Sequence, residues 1–157
     1  AQDSSTVATG GNRFALHLVQ GIYGNNADVG LGDQIKAIDT NVLNKVNISD
    51  DQMSLIQQGV YAVVNSSDSY ATGKGMQSSS ISISGKTGTA ETFATTVSGN
   101  CGTTVNLNVV ADATANDGTK VAVAVMYPHA GNPDTKAHQY IARDILNLYQ
   151  SMYGGGH

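Results

Sequence analysis

The sequence predicts an α+β fold: an antiparallel meander sheet with packed helices. Three observations carry this. Period-two alternation runs through residues 80–84, 105–111 and 119–127, with short polar, glycine-bearing connections. A capping box at Ser49 opens a stretch with apolar residues at helical spacing. A second helical pattern fills the last part of the chain. At 157 residues and 40% hydrophobic content, the chain is long enough for one domain with its own core.

In order, residues 1–11 are small, polar and glycine-rich without a period, and read as a loop or arm. Residues 13–23 alternate Phe14, Leu16 and Leu18, then add Val19, Ile22 and Tyr23, and read as a strand. Gly, Asn and Asp residues from Gly24 to Gly32 mark a turn region. Ser49-Asp50-Asp51-Gln52 is the capping box, with two acids placed favourably in the first turn. Behind it Met53, Ile56, Val60, Val63 and Val64 give one apolar face, so residues 50–65 form an amphipathic helix that supports the core. Gly59 within it costs up to about 1 kcal/mol against Ala, with close packing on the sheet as a reason.

Residues 66–79 read as a polar loop, and residues 93–102 as a second small-residue loop. Val105, Leu107, Val109 and Ala111 alternate with Asn106 and Asn108 as a half-buried strand, and Asn116-Asp117-Gly118 supplies the next turn. Val121, Val123 and Val125 interleave with Ala122, Ala124 and Met126. Apolar on both faces, this run predicts an interior strand with neighbours on both sides. Asn132-Pro133-Asp134 reads as a helix start. Ala137, Ile141, Ile145, Leu148 and Met152, with Tyr149 beside them, give the expected buried face of a helix that Gly154 ends.

Composition narrows the function classes. A net charge of -4 without a basic run argues against nucleic acid and an anionic membrane surface. No apolar run reaches the roughly 20 residues of a spanning helix, and no signal peptide opens the sequence. Cys101 is alone, which excludes an internal disulfide and a multi-cysteine metal site. His17, His129 and His138 have no metal-ligand spacing, and Gly73-Lys74-Gly75 lacks the context of a phosphate loop. No metal and no cofactor is expected.

Chemistry concentrates in Ser80-Ile81-Ser82-Ile83-Ser84-Gly85-Lys86-Thr87-Gly88-Thr89-Ala90-Glu91. Ile81 and Ile83 take one face, so Lys86 shares the other with Ser82 and Ser84. Gly85 and Gly88 remove side chains on both sides of Thr87, which lets a backbone or ligand lie close. Such a strand can take an extended peptide edge-on, with Lys86 holding a carboxylate; its plainer reading is a solvated strand-end lysine.

Ser84-Gly85-Lys86-Thr87-Gly88-Thr89-Ala90-Glu91 resembles the Lys-Thr-Gly motif of penicillin-recognising transpeptidases. The flanks extend the likeness: Gln20-Gly21-Ile22-Tyr23-Gly24, Ala37-Ile38-Asp39-Thr40, Lys45-Val46-Asn47-Ile48-Ser49, Val123-Ala124-Val125-Met126-Tyr127-Pro128-His129 and Ile141-Ala142-Arg143-Asp144-Ile145. From about residue 20 to 152 the chain is similar to the carboxy-terminal part of class B penicillin-binding proteins, the 2b-like group.

The resemblance implies part of the fold shared by these transpeptidases and serine β-lactamases. Residues 12–153 would be its carboxy-terminal sheet subdomain, residues 1–11 a flexible arm or rewritten start, and residues 154–157 a linker or purification-tag remnant. It implies a peptidoglycan D,D-transpeptidase ancestry at the cell surface, membrane-anchored in the family, with this chain a soluble piece. Lys86 would supply positive potential for a β-lactam or stem-peptide carboxylate. Thr87, Gly88 and Thr89 would line the substrate, and the Thr89 N–H would be one oxyanion donor.

The family's nucleophile sits in Ser-x-x-Lys, a string this sequence does not contain. Ser98-Gly99-Asn100 matches the Ser-x-Asn motif by chance, falling after Lys86 instead of before it. The expectation is therefore a fragment without a catalytic residue of its own, engineered or excised, serving as scaffold, binding module or split half. Its partners would be a β-lactam or stem-peptide analogue, a complementary amino-terminal half, or a second copy. The alternative is an acyl-transfer or covalent-binding protein with a recruited nucleophile such as Cys101. In the family sheet the strand at 119–127 has a neighbour from the preceding part of the domain, so residues 13–23 are expected to fill that place, or two chains to pair there.

Overall fold

The computed structural model describes residues 1–26, 30–95 and 101–154. Its centre is a three-stranded antiparallel meander of β5 (Ile83–Thr95), β6 (Cys101–Thr114) and β7 (Lys120–Ala130), in that spatial order. The strands pair with the parity the alternation requires. Ile83, Val109, Ala111 and Ala113 are buried on one face with Ile81, and Val121, Val123 and Val125 pack against them.

Helix α3 (Ala137–Tyr153) covers this face through Ala142, Leu146 and Tyr149. Helix α2 (Asp50–Asn65) lies along β5 and contributes Val64. A single 3-10 turn at Lys74–Met76 inserts Met76 between them. The expected capping box is present: Gln52 N–H donates to Ser49 Oγ at 3.2 Å, and Ser49 N–H donates to Gln52 Oε1 at 2.9 Å. Asn65, the last residue of α2, donates its Nδ2 to Ile83 O at 2.8 Å and ties the helix to the sheet.

The amino-terminal part differs from its sequence reading. Residues 1–11 are not a loop throughout: α1 (Gln2–Ala8) forms there and lies against β6 and β7. Its hydroxyls bond within the segment, Ser5 Oγ and Thr6 Oγ1 to Gln2 O, and Ser4 Oγ reaches Asp112. Residues 13–23 are not one strand. They divide into β1 (Asn12–Phe14), paired with β4 (Val42–Lys45), and β2 (Gly21–Asn26), paired with β3 (Gly30–Ala37). Neither joins β7, so among the described residues the place beside β7 is not filled from this segment.

Among the described residues β7 is an edge strand, not the interior one expected. Val121, Val123 and Val125 pack into the core under α3, whereas on the other face Ala124 and Met126 stay exposed although α1 lies against the strand. Apolar residues on both faces therefore do not require a second flanking strand. The loop read at 93–102 is shorter, because β5 continues to Thr95 and β6 starts at Cys101.

Helix α3 also departs from expectation at both its start and its buried face. It begins at Ala137; Asn132 Oδ1 instead accepts from Asp134 N at 2.9 Å in a local turn. Ile141, Ile145, Leu148 and Met152 are exposed, while His138, Gln139, Ala142, Leu146 and Gln150 are buried. The buried glutamines answer backbone groups of the loops beneath them: Gln150 Oε1 accepts from Asn116 N at 3.1 Å, and Gln139 bonds to the 72–75 turn. In α2, Met53 and Val64 are buried as expected, but Ile56 is exposed.

Candidate functional site: the outer edge of β5

Lys86, Thr87, Gly88 and Thr89 lie in the first half of β5, which among the described residues has a strand, β6, on one side only. The pairing with β6 runs from Ile83↔Ala113 to Thr95↔Cys101 without a register shift. Backbone direction therefore alternates strictly along the strand, residue by residue. Ile83 O accepts from α2, away from β6, and Thr87 O accepts from Lys86 Nζ at 2.6 Å. By the same period, Thr89 directs its N–H and C=O to that outer edge.

Lys86 is exposed and stands on the face opposite Ile83, as the alternation demands. Its stem borders a small cavity with Val7, Val60, Gly85, Val110 and Asp112, where α1 and α2 approach the sheet. Asp112 accepts from Ser4 Oγ at 2.8 Å. Burial raises the Asp112 pKa above the usual carboxylate value, and the Ser4 hydrogen bond and the Lys120 charge partly offset it. Among the described residues the ion pair within 4 Å is Arg143–Asp144, so Lys86 has no carboxylate partner there. A second shallow pocket follows the motif itself, lined by Lys86, Thr87, Gly88, Asn108, Val109 and Val110.

The two motif glycines separate into different roles. A Cβ at Gly85 would meet Val110 O at 2.8 Å and Met76 Cε at 3.1 Å, so its absence of side chain serves the protein's own packing. At Gly88 the nearest atom to a Cβ is Asn108 Cβ at 3.8 Å, an ordinary contact. Clearance for an external ligand is therefore left to Gly88.

One neighbour of the motif was invisible in the sequence. Thr72, in the loop after α2, places its Oγ1 2.8 Å from Thr87 Oγ1. Gln139 of α3 holds that loop, accepting from Gly75 N at 2.9 Å and donating to Thr72 O at 3.1 Å. No local pattern marks residues 15 and 67 positions away from their partners as members of one site.

The remaining candidates stand apart. His138 is buried with Nδ1 unpartnered among the described residues, and burial lowers its pKa. His129 has φ 52° and pairs Nδ1 with Thr104 Oγ1 at 3.1 Å. Cys101 pairs with Thr95 through its backbone register, and its side chain lies outside the described residues, as does Ser98-Gly99-Asn100. Among the described residues no group of three His, Cys, Asp or Glu side chains is placed to hold a metal ion. No described helix is long and apolar enough to cross a membrane.

Helix-backed antiparallel strands of this arrangement are those of a transpeptidase-type domain, and comparison with known proteins shows the same family. Residues 1–147 match the family model described as penicillin binding protein transpeptidase domain, and the chain belongs to that family. It is 44% identical over 154 residues to penicillin-binding protein 2B of Streptococcus pneumoniae, covering 98% of this chain and 22% of that protein. Penicillin-binding protein H of Bacillus subtilis is 31% identical over 154 residues, at 97% and 21% coverage. The solved structure of penicillin-binding protein 2B from S. pneumoniae strain R6 superposes with a TM-score of 0.81 at 43% identity, covering 98% of this chain and 24% of that one. The chain thus spans about a fifth of the length of these relatives, as a partial transpeptidase domain of class B type.

Proposed function

We propose that this chain supplies the Lys-Thr-Gly wall of a peptidoglycan D,D-transpeptidase site and binds the carboxylate end of a β-lactam or stem peptide. Lys86 provides the positive charge, Thr87 a hydroxyl, Gly88 the clearance, and Thr89 an outward N–H. The observation that carries this reading is the unbroken β5 register, which turns the backbone of Thr87 and Thr89 to an edge that no strand covers among the described residues. A carboxylate lying there exchanges water for a cation and hydroxyls at a half-exposed site, which favours weak, salt-sensitive binding.

The acylated serine of the reaction comes from outside this stretch, since the sequence has no Ser-x-x-Lys. An oxyanion hole with a single donor loses about 3–4 kcal/mol of transition-state stabilisation, and without the serine no acyl-enzyme forms. The chain alone is then a binding wall, or one half of a split enzyme.

Exposure to fluorescent penicillin followed by denaturation tests this. The expected outcome is no retained label on the chain alone, together with amide shifts at Thr87 and Thr89 during titration with benzylpenicillin. Lys86→Ala abolishes those shifts. A denaturation-resistant adduct that disappears in Lys86→Ala would show that the chain carries its own nucleophile and overturn the reading.

A further inference from the structure

We propose that Thr72 and Gln139 are positioning residues for Thr87, fixing the rotamer and hydrogen-bond direction of its hydroxyl so that it faces an incoming carboxylate. The ligand part of this inference rests on the function proposed above; the positioning part does not.

The turn holding Thr72 is anchored from two directions. Gly73 N donates to Val63 O of α2 at 2.9 Å, and a Cβ at Gly73 would come within 3.0 Å of that same oxygen. From the other side Gln139, 5% exposed, uses both ends of its amide: Oε1 for Gly75 N and Nε2 for Thr72 O. A Cβ at Gly75 would meet Gln139 Oε1 at 2.7 Å, so helix and turn fit only with glycine there. A buried glutamine satisfied at both ends is rigid, because every rotation breaks a bond in a dry setting.

Thr72 itself is exposed, so its hydroxyl has water as an alternative partner, yet the turn holds it 2.8 Å from Thr87 Oγ1. When Thr72 donates, Thr87 keeps its own proton for an anion beside Lys86. Thr87 and Lys86 then donate to one carboxylate, and Thr72, from a separate segment, acts on it only through Thr87. Gln139 touches no ligand; it acts through Thr72.

The test measures the χ1 couplings of Thr87 in isotope-labelled chain, with and without benzylpenicillin. In the parent and in Thr72→Ser, the couplings should report one rotamer. In Thr72→Val and Gln139→Met they should fall to averaged values, while the amide shifts of Val109 and Ala111 in the core stay in place. Benzylpenicillin binding should weaken about three- to tenfold in Thr72→Val, the size of one lost hydrogen bond, and recover in Thr72→Ser. Should Gln139→Met fail to fold, Gln139→Glu at neutral pH keeps the acceptor for Gly75 and removes the donor to Thr72, with the same averaging expected. Unchanged Thr87 couplings in Thr72→Val and in the folded Gln139 variant would overturn the proposal. Absence of benzylpenicillin binding by the parent would instead sink the carboxylate function, with the couplings still deciding the positioning role.

Discussion

The meander with α3 and the strand pairs of residues 12–46 use similar apolar residues to opposite effect. Ile83, Leu107 and Leu146 are at most 1% exposed, whereas Leu16, Leu31 and Ile35 are 75%, 64% and 71% exposed. Both regions alternate in sequence. Among the described residues the first has α3 and α2 laid on its sheet, whereas in the second α1 reaches only β1 and the β2–β3 pair makes its main contacts within itself. Alternation sets which side chains share a face, but burial needs a second layer, and a two-stranded ribbon alone is marginal in water.

The largest effect should therefore come from truncation inside the layered region. Leu146→Ala is expected to cost about 3 kcal/mol in urea unfolding, through lost transfer energy and a residual cavity. Leu31→Ala should change stability by no more than about 0.5 kcal/mol. Equal costs would show that residues 12–46 are covered in solution and would erase the contrast.

A finer contrast lies inside the motif. Gly85→Ala forces a Cβ against Val110 O and should cost about 1–3 kcal/mol by overpacking, read as a lowered thermal midpoint. Gly88→Ala should leave the midpoint nearly unchanged and weaken benzylpenicillin binding instead. Identical thermal losses would mean that both glycines serve packing.

The smallest effect concerns pH and separates the regions by amide exchange. The folded pKa of His138 is lowered from 6.5 by burial, so the neutral ring is the one the fold accepts. Its stabilising contribution is complete above 6.5 and is lost as pH falls below it through the lowered folded value. Amides of α3 should lose protection across that acid window after correction for intrinsic exchange, and those of β2–β3 should not follow. His138→Leu should flatten the dependence; an unaltered profile would clear His138 of the role.

The sequence was most legible where one local signal had one physical meaning. Ser49 and Gln52 satisfy each other within a single turn, and the β5 alternation predicts the side of Lys86 correctly. Helix α3 shows where legibility ended. Its greasier stripe, Ile141 to Met152, faces outward, because the sheet takes small Ala142 and Leu146 while loop backbone groups recruit Gln139 and Gln150. Hydrophobicity ranks side chains by their cost in water; it does not register the demand of distant N–H groups for a partner. In β7 an apolar face reports what packs above or below the strand and says nothing of a partner along its edge. Nothing in the polar run around Thr72 marks it, since its contact with Thr87 is a matter of tertiary placement alone.

The uninterrupted pairing of β5 with β6 makes the motif behave as a ratchet with two teeth. Moving β5 by one residue would carry Lys86 into the layer occupied by Ile83 and turn the outward N–H of Thr89 inward, all at once. A single deletion between Ile83 and Thr89 cannot produce a slightly altered cleft. It would yield either a bulge that absorbs the lost residue or a strand with its chemistry facing the wrong way.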